Sequence, residues 1–107
     1  RMDFAKLMNM AEDGTKVGLT VLGPNMAWGR EMLLWNASKL MQTCTNSEEI
    51  VSMLTVNPAE FFGVSDRIGQ LKAGLDADYL IYEGNPIEKC NAVLLETVIN
   101  GETVYQA

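Results

Sequence analysis

Residues 66–82 read Asp66-Arg67-Ile68-Gly69-Gln70-Leu71-Lys72-Ala73-Gly74-Leu75-Asp76-Ala77-Asp78-Tyr79-Leu80-Ile81-Tyr82. They follow a segment that reads Thr55-Val56-Asn57-Pro58-Ala59-Glu60-Phe61-Phe62-Gly63-Val64. Further along, residues 98–105 read Val98-Ile99-Asn100-Gly101-Glu102-Thr103-Val104-Tyr105. This ordered set decides the fold, because a helix start, a glycine-rich turn with two aspartates and a hairpin follow one another within about fifty residues.

The segment at residues 55–64 predicts a short helix. Asn57 can cap its N-terminus, and Pro58 suits the first helical position because its missing N–H would be unpaired there in any case. Glu60 lies near the positive end of the helix dipole, where a carboxylate is stabilised. Gly63 is expected to end the helix.

The segments at residues 66–82 and 98–105 predict a small antiparallel sheet. Ile68–Leu71 reads as a short strand or bend, and Lys72–Asp76 reads as a turn. Asp78–Tyr82 alternates as a strand does. The dipeptide Asn100-Gly101 is a strong signal for a hairpin between strands at 93–99 and 102–105, because both of its residues tolerate positive φ.

Upstream of residue 55 the pattern changes to helix and strand. Residues 2–11 have helical spacing with Gly14 placed as a C-terminal cap, and Thr15–Leu22 alternates like a strand. Residues 30–43 form the clearest helical pattern, and a further helix begins at Asn46-Ser47 with Glu49 completing a capping box. The predicted order is therefore helix, strand, three helices and a small antiparallel sheet.

The segments quoted above closely resemble the C-terminal end of metal-dependent amidohydrolases, particularly their imidazolonepropionase-related and dihydroorotase-like branches. That resemblance is specific over residues 57–105 and extends to residues 2–54 only in the order of elements. It implies an α/β fragment in which residues 1–64 supply the last strand (Lys16–Leu22) and helices of a distorted (β/α)8 barrel. Residues 65–107 would then supply the C-terminal share of a composite β-sandwich built from both chain ends.

The same resemblance implies hydrolysis of C–N bonds, in a cyclic amide, amidine or imidazolone, with one or two divalent metal ions and zinc as the expected metal. Enzymes of this kind hold the metal with histidines, and this chain has none. No cofactor is therefore expected in this chain, and the full-length parent protein would carry the metal. The expected partner is the N-terminal part of that parent, and the isolated chain is expected to be inactive.

One site residue is carried over by the resemblance. Such enzymes place a proton-shuttling aspartate after the eighth barrel strand, and this chain has Gly23-Pro24-Asn25-Met26 there. Asn25 is the nearest counterpart, but an amide cannot take a proton from a metal-bound water. Asn25 is thus either an altered catalytic residue or a turn residue that caps the following helix.

The composition of the chain excludes several classes of partner and indicates where the protein resides. The net charge of −6 argues against nucleic-acid binding. No apolar run approaches the roughly 20 residues that a membrane span needs, and charged residues interrupt the N-terminal pattern, so no signal peptide is expected. We expect a cytoplasmic protein that binds neither nucleic acid nor membrane, with Cys44 and Cys90 as reduced, partly buried thiols.

Two other readings stay open. Asp76 and Asp78 could suggest a cation site, although too few oxygen ligands surround them in sequence and a structural turn is favoured. The chain could also be a free-standing module that binds a partner or forms a homo-oligomer, or a segment of a pseudoenzyme, as Asn25 suggests.

Overall fold

The structure is a computed structural model that describes residues 3–20, 26–43 and 46–107. In those residues four helices precede three strands: α1 (Phe4–Glu12), α2 (Met26–Met41), α3 (Ser47–Leu54), α4 (Val56–Phe61), β1 (Tyr79–Glu83), β2 (Val93–Ile99) and β3 (Glu102–Gln106). The predicted helix-then-sheet order is confirmed for these elements.

The helices begin and end where local chemistry favours it. Asp3 caps α1 by accepting from the Lys6 N–H, and Gly14 follows α1 at φ +92°, the left-handed conformation expected of a residue beyond a helix end. Asn46 caps α3 by accepting from the N–H groups of Glu48 and Glu49, which confirms the predicted helix start.

The main core lies among α1, α2 and α3. Its buried members come from all three helices and from one loop, with exposed fractions between 0% and 8%: Met8, Ala11, Ala37, Leu40, Ile50, Met53 and Ile87. Met8 and Met53 pack in this core, whereas Met32 on α2 is 42% exposed. The Lys39 ammonium lies over the rings of Phe4 and Trp35, at 5.9 and 5.5 Å from the ring centroids, and so links α1 to α2.

The sheet is an antiparallel meander of order β1-β2-β3. The β2–β3 turn is the predicted Asn100-Gly101 dipeptide, with φ of +52° and +78°, so the hairpin prediction is confirmed. Cross-strand pairs place Leu80, Thr97 and Tyr105 on one face, together with Ile99 two residues along β2. Leu80, Ile99 and Tyr105 are each about half exposed.

The predicted strand at 15–22 is not seen over its described part. Residues 15–20 have no strand assignment, and residues 21 and 22 lie outside the described residues. A strand needs a hydrogen-bonded neighbour. The described strands β1, β2 and β3 pair only with one another.

The loop predictions are partly confirmed. Residues 68–70 form a bend and residues 73–74 a turn, so the bend alternative at 68–71 is correct. Cys90 is a free thiol but is exposed, so its expected partial burial is wrong, and Cys44 lies outside the described residues.

Candidate functional site

The predicted site residue Asn25 lies outside the described residues, as do Gly23 and Pro24. The structure does describe residues 3–20, and it shows which contacts hold the last of these residues in place. Residues 16–19 run alongside α3 and α4, and each of these four residues makes a contact with one of those helices.

Two of the four contacts involve polar side chains of α4. The Lys16 ammonium pairs with the Glu60 carboxylate, and both side chains are partly exposed. The Asn57 amide nitrogen donates a 2.7 Å hydrogen bond to the Val17 carbonyl oxygen, and Asn57 is only 9% exposed. The second contact is therefore shielded from water, whereas the first is not.

The other two contacts involve backbone and an aromatic ring. The Leu19 N–H donates to the Met53 carbonyl at 2.9 Å, which satisfies one of the carbonyls that the end of α3 leaves without an intrahelical partner. Gly18 lies against Phe61, and a Cβ built at Gly18 would lie 2.8 Å from a ring carbon of Phe61. We call residues 16–19 with these four contacts the α3–α4 clamp.

The predicted capping role of Asn57 is wrong. Helix α4 begins at Val56, its N-cap is Thr55, and that cap makes no side-chain hydrogen bond. Pro58 is accordingly the third helical residue, still within the first turn where its missing N–H costs little. The Asn57 side chain contacts Val17, forty residues earlier, and no local sequence pattern predicts such a partner.

The opposite side of α4 is covered by the glycine-rich turn. Gly69 has φ of +102°, and a Cβ built there would lie 2.9 Å from the Ala59 Cβ and 3.2 Å from the Val56 Cα. The first glycine of the Gly69–Gly74 segment is therefore needed both for backbone conformation and for close approach to α4. Gly74, at φ +92°, has open space around it.

The two aspartates of the turn have structural partners. Asp78 Oδ1 accepts a 2.7 Å hydrogen bond from the Asn100 N–H, and the Ala77 carbonyl accepts from the Gly101 N–H at 2.9 Å. Asp76 lies 3.4 Å from the Arg67 guanidinium. These contacts favour the structural turn over the cation site.

The described residues do not fit a metal centre. They contain no group of three His, Cys, Asp or Glu side chains placed to hold an ion, and the whole sequence contains no His. A catalytic zinc ion takes at least three protein ligands. This chain's described residues therefore supply no set to which a metal-dependent step could be assigned.

An open groove of about 900 Å³ separates α2 from the sheet. Its walls include Trp35 and Met41 on α2, Tyr82 and Leu94 on the strands, and the exposed Cys90. Among the described residues, the walls contain no group of three His, Cys, Asp or Glu side chains that could hold a metal ion. None of the described helices is both long and apolar enough to cross a membrane.

The described residues form a small α/β fragment, a helical layer followed by a three-stranded antiparallel sheet, without a metal centre of its own. The amidohydrolase family pattern matches residues 24–105, which is well over half of the sequence. The chain belongs to the amidohydrolase family.

Solved structures agree with this assignment. A crystal structure of an amidohydrolase from Thermotoga maritima MSB8 superposes with a TM-score of 0.84 at 27% sequence identity, over 99% of this chain and 27% of that one. A second amidohydrolase crystal structure gives a TM-score of 0.73 over 97% of this chain and 26% of that chain, and at 20% identity it supports the fold alone. No curated protein matches in a sequence search. The chain thus spans about a quarter of the length of the two amidohydrolases that it resembles.

Sequence reasoning found the family segment but not the α3–α4 clamp. The clamp joins residues 16–19 to residues 53–61, and its contacts depend on two distant segments lying side by side. Two of its members, Asn57 and Glu60, carried a sequence signal, and neither signal indicated a partner in residues 16–19. Asn57 stands before a proline in a short helix, and that position suggested a cap when its side chain in fact reaches back to Val17.

Proposed function

We propose that this chain is the C-terminal structural part of an amidohydrolase-type hydrolase that acts on C–N bonds, such as those of cyclic amides, amidines or imidazolones. The observation that carries the proposal is the combination of coverages: the chain aligns over 99% of its own length with only 27% of a Thermotoga maritima amidohydrolase. In this role the chain helps to complete the barrel and adds its sheet to a composite sandwich.

The surface of the chain supports a structural role. Each of the three strands carries apolar side chains that are between 40% and 60% exposed, including Leu80, Ile99 and Val104. A sheet in a folded domain normally buries at least one face against a second layer. The N-terminal part of the parent protein is the partner that we propose for the sheet face of Leu80, Ile99 and Tyr105.

The metal is proposed to reside in the parent protein. Zinc, the metal we propose, would be held by histidines outside this chain, because this chain contains none. When bound, such an ion would activate a water molecule for attack on the substrate. The isolated 107-residue chain is expected to retain no stoichiometric zinc after dialysis and to hydrolyse no cyclic amide.

The first experiment is the mass of the native protein in its source cells, detected with an antibody raised against this chain. A band larger than 11.8 kDa by a barrel of typically about 250 residues supports the proposal. A band at 11.8 kDa contradicts it. The larger protein, once purified, is then assayed for metal content and for hydrolysis of a panel of cyclic amides and imidazolones, with the 107-residue chain as the control.

A second candidate is a free-standing module that binds a partner or forms a homo-oligomer through the same sheet. The exposed apolar side chains of the sheet favour this alternative as well, because contiguous apolar surface marks interaction sites. A module should unfold cooperatively as a monomer or as a defined dimer, whereas a severed part should be loosely packed or aggregate. Thermal unfolding followed by circular dichroism separates the two.

A further inference from the structure

We propose that Asn57 is a positioning residue, which fixes residues 16–19 through the carbonyl of Val17. The structural half of this inference stands on the contacts of the α3–α4 clamp. Its catalytic half rests on the proposed function, in which residues 16–19 lead toward Asn25, the counterpart of the family's proton-shuttling aspartate.

Residues 16–19 depend on the clamp for their position. Residues 15–20 belong to no strand, so within the described residues no sheet ladder holds them. Their contacts instead go to α3 and α4, and the Leu19 N–H uses the Met53 carbonyl at the C-terminal end of α3. A displacement of α4 would therefore be transmitted to residues 16–19.

Asn57 provides the most specific of these contacts. The Lys16–Glu60 pair joins two side chains that are 51% and 38% exposed, and such pairs stabilise little because water competes for both charges. The Asn57 carboxamide is buried, and its 2.7 Å hydrogen bond fixes both a distance and a direction at the Val17 carbonyl. A buried donor of this kind is costly to remove.

The chemistry of the contact allows an isosteric test. Asn57 has to donate to a carbonyl, and an ionised aspartate has the same shape but no donor. At a pH where the new carboxyl is ionised, the substitution Asn57→Asp therefore removes the hydrogen bond without leaving a cavity. The matched control is Asn85→Asp, because the Asn85 side-chain oxygen accepts from the Ile87 N–H and an aspartate can still accept.

The experiment uses the native full-length protein. In Asn57→Asp we expect amide hydrogen exchange of residues 15–20 to rise by about tenfold to a hundredfold, since a buried hydrogen bond is lost. We expect kcat to fall about tenfold to a hundredfold with a smaller change in KM, because small displacements of reacting groups are costly. Asn85→Asp should change neither quantity.

Two further variants separate positioning from stability. Gly18→Ala places a methyl group 2.8 Å from a ring carbon of Phe61, and if it raises amide exchange at residues 15–20 it should lower kcat in the same way. Val98→Ala removes a buried side chain of the sheet, outside the helical core cluster against which Val17 and Leu19 pack, and should lower the Tm while leaving kcat unchanged well below that Tm.

Each half of the inference can fail separately. Unchanged exchange at residues 15–20 in Asn57→Asp overturns the positioning role altogether. Raised exchange with an unchanged kcat overturns its catalytic half and leaves the proposed function standing. A wild-type protein without hydrolytic activity overturns the proposed function, and with it the catalytic half, while the exchange measurement still decides whether Asn57 positions residues 16–19.

Discussion

Single residues around α4 show how closely this short helix is packed. Gly18 lies against the Phe61 ring on one side, and Gly69 lies against Ala59 on another, with a built Cβ falling at 2.8 and 2.9 Å respectively. At Gly69 the backbone of Thr55 and Val56 also lies close and cannot easily give way, whereas at Gly18 the neighbour is a partly exposed ring that can shift. The helix is therefore held by two segments that are about fifty residues apart in sequence.

Gly69→Ala is expected to destabilise the fold by about 2–3 kcal/mol, because it combines a strained positive φ with overpacking against α4. The control is Gly74→Ala, which has a similar φ but open space, and should cost only about 1 kcal/mol. Urea unfolding of the native protein measures both. Equal losses of unfolding free energy in the two variants would show that the close contact with Ala59 does not contribute to the effect.

Asn25 gives the second prediction at this scale, and it concerns the parent protein. If Asn25 stands where the family has its proton-shuttling aspartate, Asn25→Asp should raise kcat by about a hundredfold or more, the contribution of a general base. The gain should be largest above the pKa of the new carboxylate. Asn91→Asp, an exposed turn residue, is the control. No gain would favour the turn role of Asn25.

At the scale of elements, the start of β1 supports the turn between β2 and β3. The Asn100 N–H donates to the Asp78 side chain, and the Gly101 N–H donates to the Ala77 carbonyl. Asn100 itself has a positive φ of +52°, which non-glycine residues adopt at some cost. The aspartate of the family-like turn thus stabilises a hairpin some twenty residues further along the chain.

Asp78→Ala is expected to destabilise the fold by about 1–2 kcal/mol, because the Asn100 N–H loses a charged acceptor. Asp78→Asn keeps an acceptor and should lower the free energy of unfolding by less than Asp78→Ala does. Asp66→Ala, at an exposed turn position, should be close to neutral and serves as the control. Denaturant midpoints rank the three variants, and a neutral Asp78→Ala would contradict the supporting role.

At the scale of the whole molecule, the chain buries a helical core but leaves its sheet uncovered on one face. Leu80, Ile99 and Tyr105 share that face and are 54%, 53% and 49% exposed. Apolar area of this kind is removed from water whenever a partner is available. In the parent protein the proposed partner is the N-terminal part of the barrel and sandwich.

The isolated 107-residue chain is therefore expected to self-associate at micromolar concentration, since no other partner covers this face. The double variant Leu80→Thr/Ile99→Thr places a β-branched residue that favours strands at both positions but removes apolar area, and should shift the population toward monomer. Phe62→Ser, which alters an 82% exposed residue away from the sheet, is the control. Sedimentation velocity reports the distribution, and a wild-type monomer would contradict the expectation.

The family assignment could be predicted from the sequence because its signals are local. The Asn100-Gly101 turn, the Asn46 cap and the glycine that ends α1 each need only a few neighbouring residues, and the structure confirms all three. The ordered segments at 55–105 led to the amidohydrolase family for the same reason, and the family pattern matches residues 24–105.

Long-range packing determines which distant segments of the chain meet. Asn57 looks like a helix cap in sequence, yet its side chain reaches Val17 because α4 lies beside residues 16–19 in the fold. Residues 15–20 alternate like a strand, yet strand structure depends on a hydrogen-bonded neighbour, and none of the described strands provides one. Local propensity determined caps, turns and the hairpin, whereas long-range packing and pairing determined what each of these elements touches.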